Sequence, residues 1–166
     1  MNDNPDLNLK RSFDPIIPLN SKILILGTLP GDESLRQSQY YAHPRNRFWQ
    51  VIAAVTRSPF PINYEECIAM LHRNEIALWD VAHRALRKGS LDSEIKLEGP
   101  NDIASLIEAH GNSLHRIVFN GKGAEKLYSR YFPRYPRIDY LSMPSTSPAN
   151  AAFSLERLCE QWRTIL

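Results

Sequence analysis

The residues best suited to chemistry are clustered in one short segment, which contains Tyr40, Tyr41, His43, Arg45, Asn46 and Arg47. Aromatic rings offer flat faces on which a nucleobase can stack, and arginine side chains can bind phosphates. Asn46 lies near the start of an expected helix, where backbone N–H groups favour anions. Taken singly, each residue type has a structural explanation, such as a core tyrosine, a solvated arginine or a capping asparagine. Their proximity favours a nucleic-acid ligand.

Two loops on either side of this segment are weak signals when considered alone. Residues 27–34 (GTLPGDES) have neither the glycine spacing of G-x-G-x-x-G nor the Lys-Ser/Thr of a P-loop, which argues against a dinucleotide or triphosphate site. Residues 143–150 (MPSTSPAN) place hydroxyl side chains between two prolines. A rigid loop of small residues can enter a DNA groove, bind phosphate and unstack a base step. In isolation, each loop is an ordinary tight turn.

Four apolar runs predict the strands that must position these loops, at residues 22–26, 76–81, 115–120 and 138–143. Helical periodicity occurs between and after them, at residues 47–56, 64–74, 103–110, 121–131 and 154–165. This alternation predicts an α/β fold with three layers, α/β/α, and a central four-stranded, mainly parallel sheet. Residues 82–100 are expected to form a long loop. Ligands of such sheets bind beyond the carboxyl ends of the strands, which selects the loops after Leu26, Val81, Phe119 and Leu141.

Length and composition indicate an ordinary globular protein. The 166 residues are 43% hydrophobic and 23% charged, and the net charge of +2 is too small to indicate a polyanionic partner by itself. Residues 1–15 are expected to form a flexible tail and residues 16–166 a single domain. Neither a signal peptide nor a membrane span is expected, so the predicted location is the cytoplasm. Cys67 and Cys159 lack the spacing of a metal site or disulfide framework, and a monomer is expected.

Five stretches together resemble the uracil-DNA glycosylase superfamily. They are residues 27–31 (GTLPG), 41–46 (YAHPRN), 77–81 (ALWDV), 120–122 (NGK) and 144–150 (PSTSPAN). They are most similar to the hypoxanthine-DNA glycosylase branch, and the resemblance covers residues 16–166. It implies an enzyme that flips a deaminated base, mainly hypoxanthine (deoxyinosine), out of double-stranded DNA and hydrolyses its N-glycosidic bond, leaving an abasic site. It implies no cofactor and no metal.

Two departures from uracil-removing relatives bear on the substrate. Mismatch-specific enzymes have asparagine at the position of Leu29, where it helps to position the attacking water. Uracil-removing relatives usually have histidine or asparagine at the position of Met143, where it stabilises the departing base. Leucine and methionine cannot perform these roles, which weakens a uracil interpretation.

The resemblance also implies roles for individual residues. In the hypoxanthine branch an asparagine matching Asn46 takes over catalysis, and its amide could either orient a water or donate to the base. Tyr41 matches an aromatic residue that stacks on the flipped base. From their chemistry alone, Asp32 and Glu33 are alternative water activators, with a solvated turn as the competing interpretation. His43 could donate to the base or to phosphate, or it could make a structural hydrogen bond in the His-Pro turn. The expected base-binding residues are Gly27, Thr28, Leu29, Tyr41, Phe48 and Asn120, and the expected DNA-binding residues are Ser34, Arg45, Lys122, Ser145, Thr146, Ser147 and Pro148.

Three other functions stay open. One is a glycosylase mainly for uracil or another damaged base. The second is a non-catalytic module, which would bind damaged DNA without releasing a free base. The third is a small-molecule α/β enzyme, although a nucleotide enzyme should carry a phosphate loop, and neither phosphate-loop pattern fits residues 27–34.

Overall fold

The computed structural model describes residues 9–86 and 96–166. Its strands are β1 (Leu9–Arg11), β2 (Ile23–Gly27), β3 (Ile76–Asp80), β4 (Ala82–Leu86), β5 (Lys96–Pro100), β6 (Arg116–Asn120) and β7 (Asp139–Met143). Its helices are α1 (Asp32–Gln37), α2 (Phe48–Val55), α3 (Tyr64–Arg73), α4 (Ile103–Ala109), α5 (Lys122–Tyr131) and α6 (Leu155–Trp162), followed by a 3-10 turn at Arg163–Ile165.

The central sheet contains β3, β2, β6 and β7 in that spatial order, and every neighbouring pair is parallel. Gly27 pairs with Asp80, and Asn120 pairs with Met143, so the strands end at a common edge. The predicted three-layer α/β/α fold with a four-stranded parallel sheet is confirmed. The chain adds β3 on one side of β2 and then β6 and β7 on the other. That reversal opens the crevice in which open α/β sheets bind ligands.

Alternate residues of β2 point into two separate cores. Ile25 packs on the face covered by α2, α3 and α6, together with Phe48 and Trp162. Leu26 packs on the opposite face with α4 and α5, where Tyr128 lies. A sheet covered on both faces explains why the strand is a continuous apolar run rather than an alternating one.

A second sheet differs from the sequence prediction. β4 lies between β1 and β5 and is antiparallel to both. The loop predicted over residues 82–100 is therefore wrong at Ala82–Leu86 and Lys96–Pro100, while residues 87–95 lie outside the described residues. These strands carry basic and small residues instead of an apolar run, and their pairing with distant strands determines their conformation.

The expected N-terminal tail joins the fold from residue 9 onward, and residues 1–8 lie outside the described residues. Beyond the pairing of β1 with β4, Ile16 forms an antiparallel bridge with Leu78. The indole nitrogen of Trp79 donates to the Phe13 carbonyl oxygen at 3.0 Å. The folded part of the chain therefore begins before residue 16.

The predicted helices form, and three of them begin at a residue whose side chain accepts a hydrogen bond from the first turn, namely Asn63, Asp102 and Ser154. Helix α1 was not predicted, because it spans only six residues of an apparent turn. Its first two residues, Asp32 and Glu33, are acidic and favour a helix N-terminus. Over residues 9–86 and 96–166, none of the helices has the length and apolar character of a membrane span.

Candidate active site

A cavity of about 870 Å³ opens at the carboxyl edge of the central sheet. Gly27, Asp80, Asn120 and Met143, the last residues of β2, β3, β6 and β7, all line it. This is the edge selected by the parallel topology, and the volume suits a ligand cleft. Residues from each of the five stretches quoted above meet here, although the sequence separates them widely.

Asn46 lies half-buried at this cavity, just before α2. Its Oδ1 accepts one hydrogen bond from the backbone N–H of Phe48 (2.9 Å) and another from Thr146 Oγ1 (2.9 Å). An amide oxygen has two lone pairs, so both are occupied. Among the described residues, no protein group accepts a hydrogen bond from Asn46 Nδ2. The N–H groups of this amide are therefore left for a ligand.

Thr146 connects Asn46 with the end of β6. Its Oγ1 accepts a hydrogen bond from Asn120 Nδ2 (3.0 Å), and its backbone N–H donates to Asn120 Oδ1 (3.0 Å). Thr146 is fully buried. The prediction that Thr146 contacts DNA is therefore wrong, because its hydroxyl both donates and accepts inside the protein.

Arg47 fastens the loop of residues 143–150 to the start of α2. Its guanidinium donates to the backbone carbonyl oxygens of Phe153, Ser147 (3.0 Å) and Asn150 (3.2 Å). Its backbone N–H donates to the Thr146 carbonyl oxygen at 3.1 Å. From sequence, the arginines of this segment were expected to bind phosphates, and no local feature distinguishes Arg47 from Arg45 in this respect. The structure shows that Arg47 orders the loop instead.

Tyr41 is supported by a fully buried ring. Its ring stacks on that of Phe48, with centroids 4.0 Å apart and planes inclined by 24°. Tyr41 lines the cavity, whereas Phe48 is completely buried and does not. The prediction that Phe48 binds the base directly is therefore wrong. The backbone φ of Tyr41 is +53°, a left-handed conformation whose strain is typical of ligand sites.

Tyr40, by contrast, is a core residue and not a second stacking surface. It is 4% exposed, and its hydroxyl donates to the Asp14 carbonyl oxygen at 2.9 Å. Burial raises the pKa of Tyr40 above its ordinary value, and the nearby negative charge of Asp80 raises it further by a smaller amount. The hydroxyl therefore stays protonated at neutral pH and remains a hydrogen-bond donor.

Gly27 allows two polar side chains to approach the end of β2. A Cβ at this position would lie 2.5 Å from Asp80 Oδ1 and 2.8 Å from Tyr41 Oη, which is closer than real Cβ contacts. Asp80 is 4% exposed and lines the cavity. Asp80 lies within the stretch of residues 77–81, but no role was predicted for it from sequence. The available signal was a carboxylate directly after a buried strand.

Both acidic catalytic candidates line the cavity, and both have cationic neighbours. Lys10 of β1 donates to Asp32 Oδ1. Glu33 accepts hydrogen bonds from Arg36 and Gln37, and these bonds, Arg36 first, lower the pKa of Glu33. The pairings favour structural roles for the two carboxylates. Lys10 was missed because its strand was interpreted as part of a tail.

His43 shapes the turn that leads to Asn46. Its Nδ1 accepts from the Arg45 backbone N–H (3.1 Å), and its carbonyl oxygen accepts from the Asn46 backbone N–H (2.9 Å). A neutral His43 therefore carries its proton on Nε2. Ser34 is buried, and its Oγ accepts from the Ala42 backbone N–H (3.1 Å) in the same turn. The prediction that Ser34 binds DNA is therefore wrong, because its hydroxyl accepts a hydrogen bond inside the protein.

The other predicted base-binding residues line the cavity. Thr28 and Leu29 are both buried there, and Leu29 packs with Ala82 and Ala85. Leu29, at the position where mismatch-specific enzymes have asparagine, therefore belongs to an apolar cluster.

The remaining predicted DNA contacts lie at the mouth of the cavity or beside it. Exposed Lys122 and half-buried Ser145, Ser147 and Pro148 line it. Arg45 is exposed beside Asn46 but is not part of the lining.

Over the described residues, no group of three or more His, Cys, Asp or Glu side chains is placed to hold a metal ion.

The loop of residues 143–150 is held close to the exit of β6. Gly121 has a φ of +93°, and a Cβ there would lie 3.1 Å from Ser145 Cβ. The Gly121 backbone N–H donates to the Met143 carbonyl oxygen at 2.9 Å, and Trp162 Nε1 donates to that of Pro144 at 2.9 Å. The loop is therefore anchored to the protein at several points.

Comparison with known proteins gives a consistent family. The family model described as the uracil DNA glycosylase superfamily matches residues 15–165. A Methanosarcina acetivorans protein named hypoxanthine DNA glycosylase is 39% identical over 160 residues, covering 95% of this chain and 98% of the relative. A Methanosarcina barkeri protein of the same name is 42% identical over 114 residues, covering 68% and 72%. A solution NMR structure of a Methanosarcina acetivorans protein assigned as a uracil DNA glycosylase matches with a TM-score of 0.77 and 36% identity, covering 95% and 98%.

Proposed function

The chain belongs to the uracil DNA glycosylase superfamily, and on this premise we propose that it is a DNA glycosylase that removes deaminated bases, mainly hypoxanthine, from double-stranded DNA. The observation that carries the proposal is the Asn46 amide, held at the cavity by Phe48 and Thr146 with its N–H groups left for a ligand. Two relatives named hypoxanthine DNA glycosylase, at 39% and 42% identity, support the choice of base.

The proposed reaction is hydrolysis of the N-glycosidic bond. The bond between sugar C1′ and base N9 breaks, and its electron pair leaves with the base, which then takes up a proton. Water forms the new bond to C1′ and loses a proton, leaving an abasic site. In the transition state the sugar develops positive charge and the departing base develops negative charge. Groups that bind this charge distribution accelerate the reaction.

Asn46 is the proposed catalytic residue. An amide is too weak a base to remove a proton from water, but it can align a water or donate a hydrogen bond to the departing base. When such a contact is desolvated, it contributes about 1 to 3 kcal/mol. The ion pair of Asp32 with Lys10 and the pairing of Glu33 with Arg36 support assigning the main role to the amide.

The base must first leave the duplex, because its glycosidic bond is inaccessible within the stack. Extrusion costs a few kcal/mol and is least costly in a weak pair, so inosine opposite thymine is expected to react faster than inosine in a stable pair. Tyr41 is the proposed stacking partner of the extruded base. Ser145, Ser147 and Pro148 are proposed to bind the backbone and fill the vacated position.

Two apolar residues argue against uracil as the main substrate, although they do not by themselves form a pocket for hypoxanthine. Leu29 packs against alanines instead of holding a water, and Met143 ends β7 where uracil-removing relatives were expected to carry a polar side chain. Neither side chain can donate a hydrogen bond to the carbonyl groups of uracil.

The proposal is tested with matched duplexes that contain one deoxyinosine, one deoxyuridine or only normal bases. Enzyme in excess of DNA gives the single-turnover rate, alkaline cleavage reports the abasic site, and mass spectrometry identifies the free base. Release of hypoxanthine, at a rate at least about tenfold above that of uracil, is expected. Release of uracil alone would be consistent with the family but would contradict hypoxanthine as the proposed substrate. Tight binding of the inosine duplex without base release would indicate a binding module.

A further inference from the structure

The hydrogen-bonded chain from Asn120 through Thr146 to Asn46 has only one allowed direction. The backbone N–H of Thr146 can only donate, so the Asn120 side-chain atom that meets it at 3.0 Å is the oxygen. The Nδ2 of Asn120 therefore faces Thr146 Oγ1, at 3.0 Å, and donates to it.

The orientation of the Asn46 amide, at the other end of this hydrogen-bonded chain, is also determined by a backbone N–H. The backbone N–H of Phe48 donates at 2.9 Å, so the Asn46 atom that it meets is Oδ1. Thr146 Oγ1, which already accepts from Asn120, must then use its own hydrogen to reach Asn46 Oδ1 at 2.9 Å. Two backbone N–H groups thus determine the orientation of both amides and of the hydroxyl between them.

This direction decides between the two roles considered for Asn46. Because both lone pairs of Oδ1 are occupied, Asn46 cannot accept a hydrogen bond from a water that is about to attack the sugar. Only Nδ2 remains, and it can only donate. A donor is suited to an electron-rich departing base, on which negative charge develops as the glycosidic bond breaks.

We propose that Thr146 is a positioning residue that presents Asn46 to the extruded base as a hydrogen-bond donor. Thr146 does not touch the substrate, since it is fully buried. It acts by filling the second lone pair of Asn46 Oδ1 and by fixing the plane of the amide. This inference rests on the proposed glycosylase function and adds a specific direction to its principal hydrogen bond.

The test compares variants that differ only in the hydroxyl. Thr146→Val keeps the branched shape and removes the hydroxyl, whereas Thr146→Ser keeps the hydroxyl. We expect Thr146→Val to lower the single-turnover rate on a deoxyinosine duplex by about tenfold, the loss of roughly one hydrogen bond. Binding to a duplex whose inosine carries a 2′-fluoro group, which slows bond cleavage, should change by less than about twofold. The excision rate of Thr146→Ser, which retains the hydroxyl, should be close to that of the wild type.

A matched control removes a hydroxyl at the other end of α2. Thr56 is half-buried, and its Oγ1 donates to the Ile52 carbonyl oxygen at 2.7 Å. Thr56→Val should change the excision rate by less than about twofold, even where it lowers the melting temperature. Should Thr146→Val not fold, Thr146→Ala removes the same hydroxyl without the clash of a second methyl group.

The outcomes separate this inference from the proposed function. A wild-type protein that excises no deaminated base refutes the function itself. A wild-type protein that excises inosine, with Thr146→Val equally fast, refutes the role of Thr146 alone. Equal losses in Thr146→Val and Thr56→Val, or a loss of rate that Thr146→Ser does not restore, would also overturn it by indicating a general effect on the fold.

Discussion

The two walls of the cavity are built by different means. Asn46, Asn120 and Thr146 form a hydrogen-bonded wall, in which each contact has a donor and an acceptor that cannot be exchanged. Gly27, Tyr41 and Asp80 form a packed wall, in which the absence of a single Cβ allows two polar side chains to approach. The first wall depends on the direction of its hydrogen bonds, and the second depends on space. Substitutions that keep the size of a side chain but change its hydrogen bonding should therefore damage the first wall most. Substitutions that add volume should damage the second.

The largest effect is expected for Asn46→Asp, which preserves shape and replaces the Nδ2 donor by a carboxylate oxygen. A negative charge beside an electron-rich departing base opposes bond cleavage, so the single-turnover rate on deoxyinosine should fall by about a thousandfold. Asn74→Asp is the control, because Asn74 is a half-buried asparagine at the end of α3 and away from the cavity lining. An Asn46→Asp enzyme within about tenfold of the wild type would show that donation is not required.

The packed wall is tested by Gly27→Ala. The added methyl group would lie 2.5 Å from Asp80 Oδ1 and 2.8 Å from Tyr41 Oη, so one of these groups must move. The rate of excision should fall by about ten- to a hundredfold, since small displacements at a reacting site are costly. At Gly99, an added Cβ meets none of the described atoms within 4 Å, and Gly99→Ala should be close to wild type. Equal rates for the two alanine variants would show that this wall tolerates volume.

Two neighbouring arginines separate support of the hydrogen-bonded wall from contact with DNA. Arg47→Met removes the donors to three carbonyl oxygens and should lower the free energy of unfolding by about 2 to 3 kcal/mol, measured in urea. Arg45→Met, at an exposed position, should leave that free energy within about 0.5 kcal/mol and weaken DNA binding instead. The assignment fails if Arg45→Met destabilises the protein as much as Arg47→Met does.

The smallest effect is expected at the cavity mouth, where neither wall is disturbed. Lys122→Met should weaken duplex binding a few-fold and reduce the slope of log affinity against log salt by about one, the value for one lost phosphate contact. Lys126, one turn further along α5, is exposed and does not line the cavity, so Lys126→Met serves as its control. The same salt slope in both variants would remove Lys122 from the DNA contacts.

The central sheet was predictable from sequence because its signal is local. The run Ile23, Leu24, Ile25 and Leu26 is apolar without alternation, which is typical of a strand buried on both faces. The parallel order then placed the cavity at the carboxyl ends of the strands, and the resemblance indicated Asn46. The second sheet was missed because β4 and β5 lack such a run.

The details of the site were less predictable because residues of similar type and position lie in different structural environments. Arg45 and Arg47 are two positions apart, yet one is exposed and the other binds a loop about a hundred residues away. Thr146 lies between two serines that line the cavity, but it alone of the three is fully buried. These differences arise from tertiary contacts with Asn46, Asn120 and Phe153, which local sequence does not encode.

The most direct test of the central claim is single-turnover excision of deoxyinosine by Asn46→Ala beside Asn74→Ala. The variant at residue 46 should lose about a hundredfold or more in rate while it still binds the duplex, whereas the variant at residue 74 should excise nearly as fast as the wild type. Loss of less than about tenfold in Asn46→Ala, with base release otherwise intact, would contradict the assignment of Asn46 as the catalytic amide.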